Sequence, residues 1–435
     1  MKTEAKTYLA SLLAAHPALP GGPAAWLARL RAAALERANA LTVPTTRDED
    51  WRFTDLSPLY KTAYERAAAP AAPDRAAIEQ RFLPEAGGRL VFVDGHYSAE
   101  LSTPQEGDAY VGTLAGALRR DSAQLEAHLA RHVDFEADPF AAVNTAFLQD
   151  CAVVHVPGGR KVERPVQLLF VATQAERVAY PRVLAIVERG AELTLVEDYL
   201  SLTDAAYFVN GVTELAIAEN ASLAHVRVQR ESDKAFHIAS SVASLARDAR
   251  YAAQSVSIGA RISRLNHGIR QGGEGTDCLV DGLALIAGRQ LADTHSFIDH
   301  AHPHGRSRQL HKCVVDGAGH AVFNGRILVR KGAQLTDSAQ SSRNLLLTGR
   351  AHVDTKPQLE ILADDVKCAH GATVGQLDPE HVFYLRSRGL SEVAARNLLT
   401  YAFAAEVVDR IPVASLRGWL EAQVVERTHA KEPGG

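Results

Sequence analysis

The sequence predicts a mainly β protein, a repetitive β core flanked at both ends by helical segments. From Cys151 to about Thr373, short apolar or alternating runs are separated by Gly, Asn and Asp, with hardly any helix-period signal. Within that span a loose turn–small–polar–apolar unit recurs, ending at Leu193, Leu223, Tyr251, Cys278 and Leu335. The offsets are 30, 28, 27 and then 57 residues, the last read as two more units. Repeats of this length in β-rich sequence suggest a solenoid in which each coil buries its apolar side against the next. A β-sandwich is the competing arrangement. Outside the span the texture is helical, Ala-rich before it and capped and amphipathic after it.

Residues 1–85 read as an N-terminal helical region. Tyr8-Leu-Ala-Ser-Leu-Leu-Ala-Ala15 follows two lysines, but Glu4 interrupts the basic end and the apolar run is short. An amphipathic first helix is therefore expected rather than a secretory leader. Pro23 suits a first helical turn, and Trp26, Leu30, Ala34 and Ala38 then recur on one face. Pro70-Ala-Ala-Pro73 breaks the region. Residues 86–150 form a mixed connecting region with one strand, Arg89-Leu-Val-Phe-Val93.

Residues 151–375 are the repetitive core. Ala224, Val226 and Val228 alternate with His225, Arg227 and Gln229, giving one inward and one outward face. Residues 376–435 return to helix. Asp378 is a good N-cap with Pro379 in the first turn, and Gly389 can close that helix in a left-handed conformation. Ser391 caps a second helix with an apolar stripe of Leu398, Leu399, Ala402, Phe403 and Val407, ended by Pro412. A third runs around Leu416, Trp419, Leu420 and Val424, before a frayed tail from His429 to Gly435. Such a unit can cap the last coil of a solenoid and offer a docking surface.

The 435 residues suffice for a large core, and a formal net charge of −4 leaves no electrostatic footprint for nucleic acid or an anionic membrane. No apolar run approaches the ~20 residues of a membrane helix. Four widely spread cysteines, Cys151, Cys278, Cys313 and Cys368, form no Cys-x-x-Cys and fit a reducing cytoplasm. The first three are expected to be buried packing residues. Arg270-Gln-Gly-Gly-Glu-Gly275 lacks the spacing of a phosphate-binding loop and reads as a flexible turn. No Walker sequence occurs, so no ATPase activity is expected of the chain itself.

Two clusters carry candidate chemistry. His295, His300, His302, His304 and His311 crowd into seventeen residues. The alternating part can chelate a metal or simply belong to a solvated loop around Pro303 and Gly305. Cys368 and His370 lie two apart in a β-like run, so they point the same way. Thiolate plus imidazole suits zinc, copper or an iron–sulfur cluster. Two ligands do not close a site, and taken alone the pair reads first as a buried cysteine and a satisfied histidine.

The surroundings add a resemblance. Ile361 to Gly375 and Phe383-Tyr-Leu-Arg-Ser-Arg-Gly389 are similar to the SufB/SufD family of Suf iron–sulfur cluster assembly scaffolds. So are Asp293-Thr-His-Ser-Phe-Ile-Asp-His300, Val322-Phe-Asn-Gly-Arg-Ile327, Ala333-Gln-Leu-Thr-Asp-Ser-Ala-Gln340, Asn344-Leu-Leu-Leu347 and Glu49-Asp-Trp-Arg-Phe-Thr-Asp-Leu56. Cys368-Ala-His-Gly371, where SufB typically reads Cys-Thr-His-Glu, makes the chain resemble the SufD branch.

That resemblance implies a right-handed parallel β-helix and a non-catalytic scaffold. It also implies pairing with SufB at the β-helix end and binding of the ATPase SufC through the C-terminal helices. His370 and Cys368 would then be the candidate ligands of a nascent Fe–S cluster at the SufB junction, with the choice between them, a homodimer and a flavin left open. The alternative is an autonomous β-helix lyase or hydrolase using Asp364, Asp365, Asp293 and His295.

Overall fold

The computed structural model describes residues 2–14, 24–67, 74–107 and 109–428. The expectations for Pro23, for Pro70 to Pro73 and for the tail from His429 lie outside them. The core is a β-solenoid of about eight turns built from two parallel sheets. Each coil gives one strand to each sheet. In the first sheet, strands Arg182–Val187, Phe208–Ile217, Phe236–Leu245, Ile262–Gln271, Leu291–His300, His320–Val329 and His352–Ile361 follow in order. In the second, they run from Val166–Ala172 through Glu192–Ser201, Ser222–Arg230, Arg250–Ser257, Asp277–Ile286, Arg306–Val315 and Asp337–Leu346 to Lys367–Gln376. The solenoid thus replaces the sandwich alternative. Gly88–Val93, expected as a strand, pairs in parallel with Val166–Ala172.

The coil register explains the repeat and corrects its last member. Leu193, Leu223, Tyr251 and Cys278 stack directly on one another, and the ladder continues through Ser307, Ser338 and Cys368. Leu335 is not in it. It sits in the turn three residues before Ser338, half exposed, with a φ of 61°. The turn–small–polar–apolar pattern reappears there by composition alone.

A second correction concerns which side of the strands is apolar. In Ser222–Arg230, Leu223 joins the interior of the coil, so His225, Arg227 and Gln229 also point inward. Val226 and Val228 face outward and are buried beneath the C-terminal helices. The interior tolerates polar groups where they satisfy one another. Glu197 accepts hydrogen bonds from His225 Nε2 (2.8 Å), the Tyr199 hydroxyl (2.7 Å) and Thr213 Oγ1 (3.0 Å). Tyr251 links His225 Nδ1 (3.0 Å) to His267 Nε2 (3.1 Å). A stack of Phe92, Phe170 and Tyr199, with centroids 5.4 and 4.8 Å apart, fills the first coils.

Helices cover both outer faces. On the first sheet lie α1 (Lys2–Ala14), α2 (Ala25–Ala40), α4 (Leu114–His128) and α5 (Pro139–Ala146), while the short α3 (Arg75–Glu79) seats Ile78 on the first strands of the second sheet. On α2 it is Leu27, with Ala34 and Ala38, that is buried, while Trp26 and Leu30 are half-buried beside it. Trp51 packs on Phe140 of α5 with the Arg264 guanidinium 4.2 Å from its ring centroid. Glu214, on the outer face, accepts from the backbone N–H of Ala130, His132 and Val133 and pairs with Arg182, so one carboxylate anchors the segment after α4.

On the second sheet lie α7 (Glu392–Val408) and α8 (Ala414–Thr428), with α6 (Pro379–Ser387) packed against α7. Asp378 caps α6 through Glu380 N, Gly389 follows with a φ of 94°, and Ser391 caps α7 through Ala394 N. The buried face of α7 is Ala395, Asn397, Thr400, Ala404, Val407 and Val408. Of the expected stripe only Val407 is fully buried, and Leu398 is exposed. The rotation follows from what α7 meets, the strands Arg306–Val315 and Asp277–Ile286, where the Lys312 ammonium is held by Phe403 O and Glu406. The unit therefore lies along the side of the solenoid and does not cap its last coil. Among the described residues, no helix is long and apolar enough to cross a membrane.

Close coil packing leaves little room at the turns. A Cβ on Gly259 would lie 2.1 Å from Glu231 O and 2.4 Å from its N, both backbone atoms. Gly259→Ala is expected to lower stability by about 1–3 kcal/mol, read from the shift of its urea midpoint. An unchanged midpoint would mean that the coils slide apart at no cost.

Candidate functional site

The last coil of the solenoid is open. His352–Ile361 ends the first sheet and Lys367–Gln376 ends the second, each ten residues long and each paired on one side only. Their free sides present unpaired backbone N–H and C=O groups, a template for another strand. Ile361, Leu362 and Val374 are exposed there. Nothing lies within 4 Å of where a Cβ would stand on Gly371 or Gly375.

Cys368 and His370 occupy alternate positions of this terminal strand, and both point toward the coil interior. Cys368 stacks over Ser338 and packs against the interior apolar cluster, and His370 stacks over Gln340. The structure thus brings the pair together on one face at the open mouth, with Cys368 half-buried and His370 exposed. Burial pushes the Cys368 thiol above its usual range, so a metal or a neighbouring positive group must draw the proton off. Below the pair run two polar stacks. Ser338 Oγ is 2.6 Å from Ser307 Oγ, which is 3.0 Å from His300 Nε2. Gln340 donates to Gln309 (2.7 Å), which also accepts from Ser296 Oγ (3.2 Å). A reading by local spacing misses these stacks, because their members are a coil apart.

The histidine cluster of residues 295–311 does not converge. His300 is bonded inside the coil, and His311 is stacked on Phe323 at 4.5 Å. His295 lies against Asp293 at 3.2 Å on the outer face, and His302 and His304 occupy an exposed turn. The acids named for an enzyme are equally scattered. Asp364 and Asp365 sit in the turn before Lys367–Gln376. Asp293 is buried under Thr54 and Arg264 on the other sheet, where Arg264 and His295 hold its carboxyl well below the usual range against the opposing cost of burial. Cys151, Cys278 and Cys313 are buried as expected, and burial raises the Cys278 and Cys313 thiols to about 12. Arg270 to Gly275 closes one strand and enters a turn with Gly275 at a φ of 70°.

Burial holds three interior histidines below their ordinary 6.5, His267 at about 3 and His300 and His311 at about 4. Below pH 6.5 the unfolded chain takes up protons that the folded chain refuses. Stability is therefore full above about pH 6.5 and is lost as pH falls toward 4, by about 1.4 kcal/mol per pH unit for each histidine. Urea midpoints between pH 7 and 4 should show the slope, and His311→Phe should make it shallower. A flat profile would show these rings to be hydrated.

Comparison with known proteins agrees with this geometry. Residues 170–403 match the family described as SUF system FeS cluster assembly, SufBD core domain, and residues 2–168 match the SufBD protein N-terminal region. The chain is 41% identical to an iron–sulfur cluster assembly SufBD family protein of Synechocystis, with 92% of this chain and 91% of that one covered. It is 34% identical to the iron–sulfur cluster assembly protein SufD of Escherichia coli over 90% of each, and 27% identical to SufD of Bacillus subtilis over 93% and 94%. With family matches spanning nearly the whole described chain and a solenoid whose last coil stands open, this protein belongs to the SufBD family of the SUF iron–sulfur cluster assembly system.

Proposed function

We propose that the chain is a non-catalytic scaffold subunit that builds and passes on a nascent iron–sulfur cluster together with a SufB-like sister chain and a SufC-like ATPase. The observation that carries the reading is the open last coil with Cys368 and His370 facing into it. A sister chain whose own strands pair with the free sides of His352–Ile361 and Lys367–Gln376 would extend both sheets and seat its ligands over the pair. Thiolate and imidazole bind iron, and a site split between two chains can release its cargo when the junction opens. The cluster is substrate here and does not stay.

For the ATPase, the exposed side of the C-terminal helices is the docking surface. Phe383 and Tyr384 are 72% and 56% exposed on α6, which has no buried residue, and Leu398 of α7 is 46% exposed. A copurifying partner normally buries on the order of 1,200–2,000 Å² in total, and these three side chains supply an apolar centre for it. Removing the helices altogether would uncover Val226, Val228, Leu283 and Leu310, so substitution is the cleaner test. Phe383→Asp with Tyr384→Asp should abolish capture of a SufC-like protein in a pull-down while leaving capture of a SufB-like protein intact. Retained ATPase capture with lost sister-chain capture would reverse the two surfaces.

A further inference from the structure

We infer that a second metal site, distinct from the Cys368/His370 pair, is built on the outer face of the first sheet by His320, His352 and Asp354. Among the described residues, these three form the one group of three or more metal-ligating side chains, with their ligand atoms all within 4.8 Å of one another. Register makes the site. His320 and His352 are direct neighbours on adjacent strands, and Asp354 lies two residues beyond His352 on the same face. The intervening Ala321 and Val353 point the other way, into an interior cluster with Ala292, Cys313 and Val315. The three ligands therefore project outward from a rigid ladder.

Asp354 Oδ2 now lies 2.7 Å from His320 Nε2 and 3.2 Å from His352 Nε2, and the ring centroids are 4.9 Å apart. Around a tetrahedral ion with bonds of about 2.0–2.2 Å, ligand atoms stand about 3.3–3.6 Å apart. The Asp354–His352 edge is nearly at that spacing. The Asp354–His320 edge must open by less than an ångström, and the His352 side chain, 65% exposed, is free to swing in. The nearest cation along the strand, Lys356, is engaged with Glu49 at 2.7 Å. Two imidazoles and one carboxylate select a first-row divalent transition ion such as Fe2+ or Zn2+ over Mg2+ or Ca2+. The remaining positions open to solvent at the free end of the solenoid.

Titration of the chelator-treated full chain with Co2+ at neutral pH tests the site. The expected result is one equivalent bound, with cobalt d–d bands and no thiolate-to-cobalt charge transfer. His352→Ala and Asp354→Asn should each weaken binding by about tenfold or more, with circular dichroism unchanged. Cys368→Ala/His370→Ala and His302→Ala/His304→Ala should leave it in place. The inference fails if no Co2+ binds, if His352→Ala and Asp354→Asn bind as the wild type does, or if binding vanishes only with Cys368 and His370 or with His302 and His304.

Discussion

Arg182→Ala is expected to destabilise the protein by about 3–5 kcal/mol, the loss that follows when one member of a buried ion pair is removed. Arg182 and Glu214 are both fully buried. The Arg182 guanidinium also donates to Asn144 Oδ1 and Thr145 Oγ1, each at 3.1 Å, on α5. Without it, Glu214 keeps its three backbone donors from Ala130, His132 and Val133 but loses the positive charge that, against the cost of burial, holds its carboxyl below the usual range. The carboxylate must then stay charged in an apolar surround or take up a proton and weaken those bonds. Both routes loosen the segment after α4 and the seat of α5. Guanidinium unfolding supplies the measurement. The double variant Arg182→Met/Glu214→Gln should recover much of the loss, because the buried charge has gone with its partner. A single-variant loss under about 1 kcal/mol would place the pair in water.

His370→Ala is expected to leave folding intact and to cut cluster yield in the assembled complex on the order of tenfold or more, since loss even of a group supporting a ligand costs 10–100-fold. The ring is exposed at the open coil. Far-UV circular dichroism and the melting temperature should match the wild type. Iron–sulfur absorbance after reconstitution with the sister chain and the ATPase should not. Cys368→Ala separates the roles, since Cys368 also packs on the interior cluster and should show a small stability loss of its own. Unchanged cluster absorbance from a fully assembled His370→Ala complex removes this residue from the site.

The helix caps were legible because they are local. Asp378 with Pro379, Gly389 and Ser391 act on backbone groups two or three residues away, and each does in the fold what its type and position imply. The coil repeat was legible for a related reason. Each strand buries the same interior ladder, so Leu193, Leu223, Tyr251 and Cys278 recur at coil length. The reading failed at Leu335, where an apolar residue stands in a turn and the true ladder position is Ser338. Spacing alone cannot tell an apolar residue in a turn from one in a stack.

What the sequence determined by itself was the class of fold, the position of the helical ends and the placing of Cys368 and His370 on one strand face. All three depend on backbone propensity and on periods of two, 3.6 and about thirty residues. Tertiary structure alone decided which face of each strand is interior. His225 points in because Glu197 and Tyr251, one coil away on either side, complete its hydrogen bonds, and Arg227 and Gln229 point in where His237 on the opposite sheet and Glu231 accept theirs, while Val226 and Val228 point out because α7 and α8 lie over them. It also decided that the C-terminal helices cover the side and leave the last coil open, and that His320 and His352, thirty-two residues apart, stand side by side. Each of these is a contact between coils or layers, and its free energy depends on a partner that the local sequence does not contain.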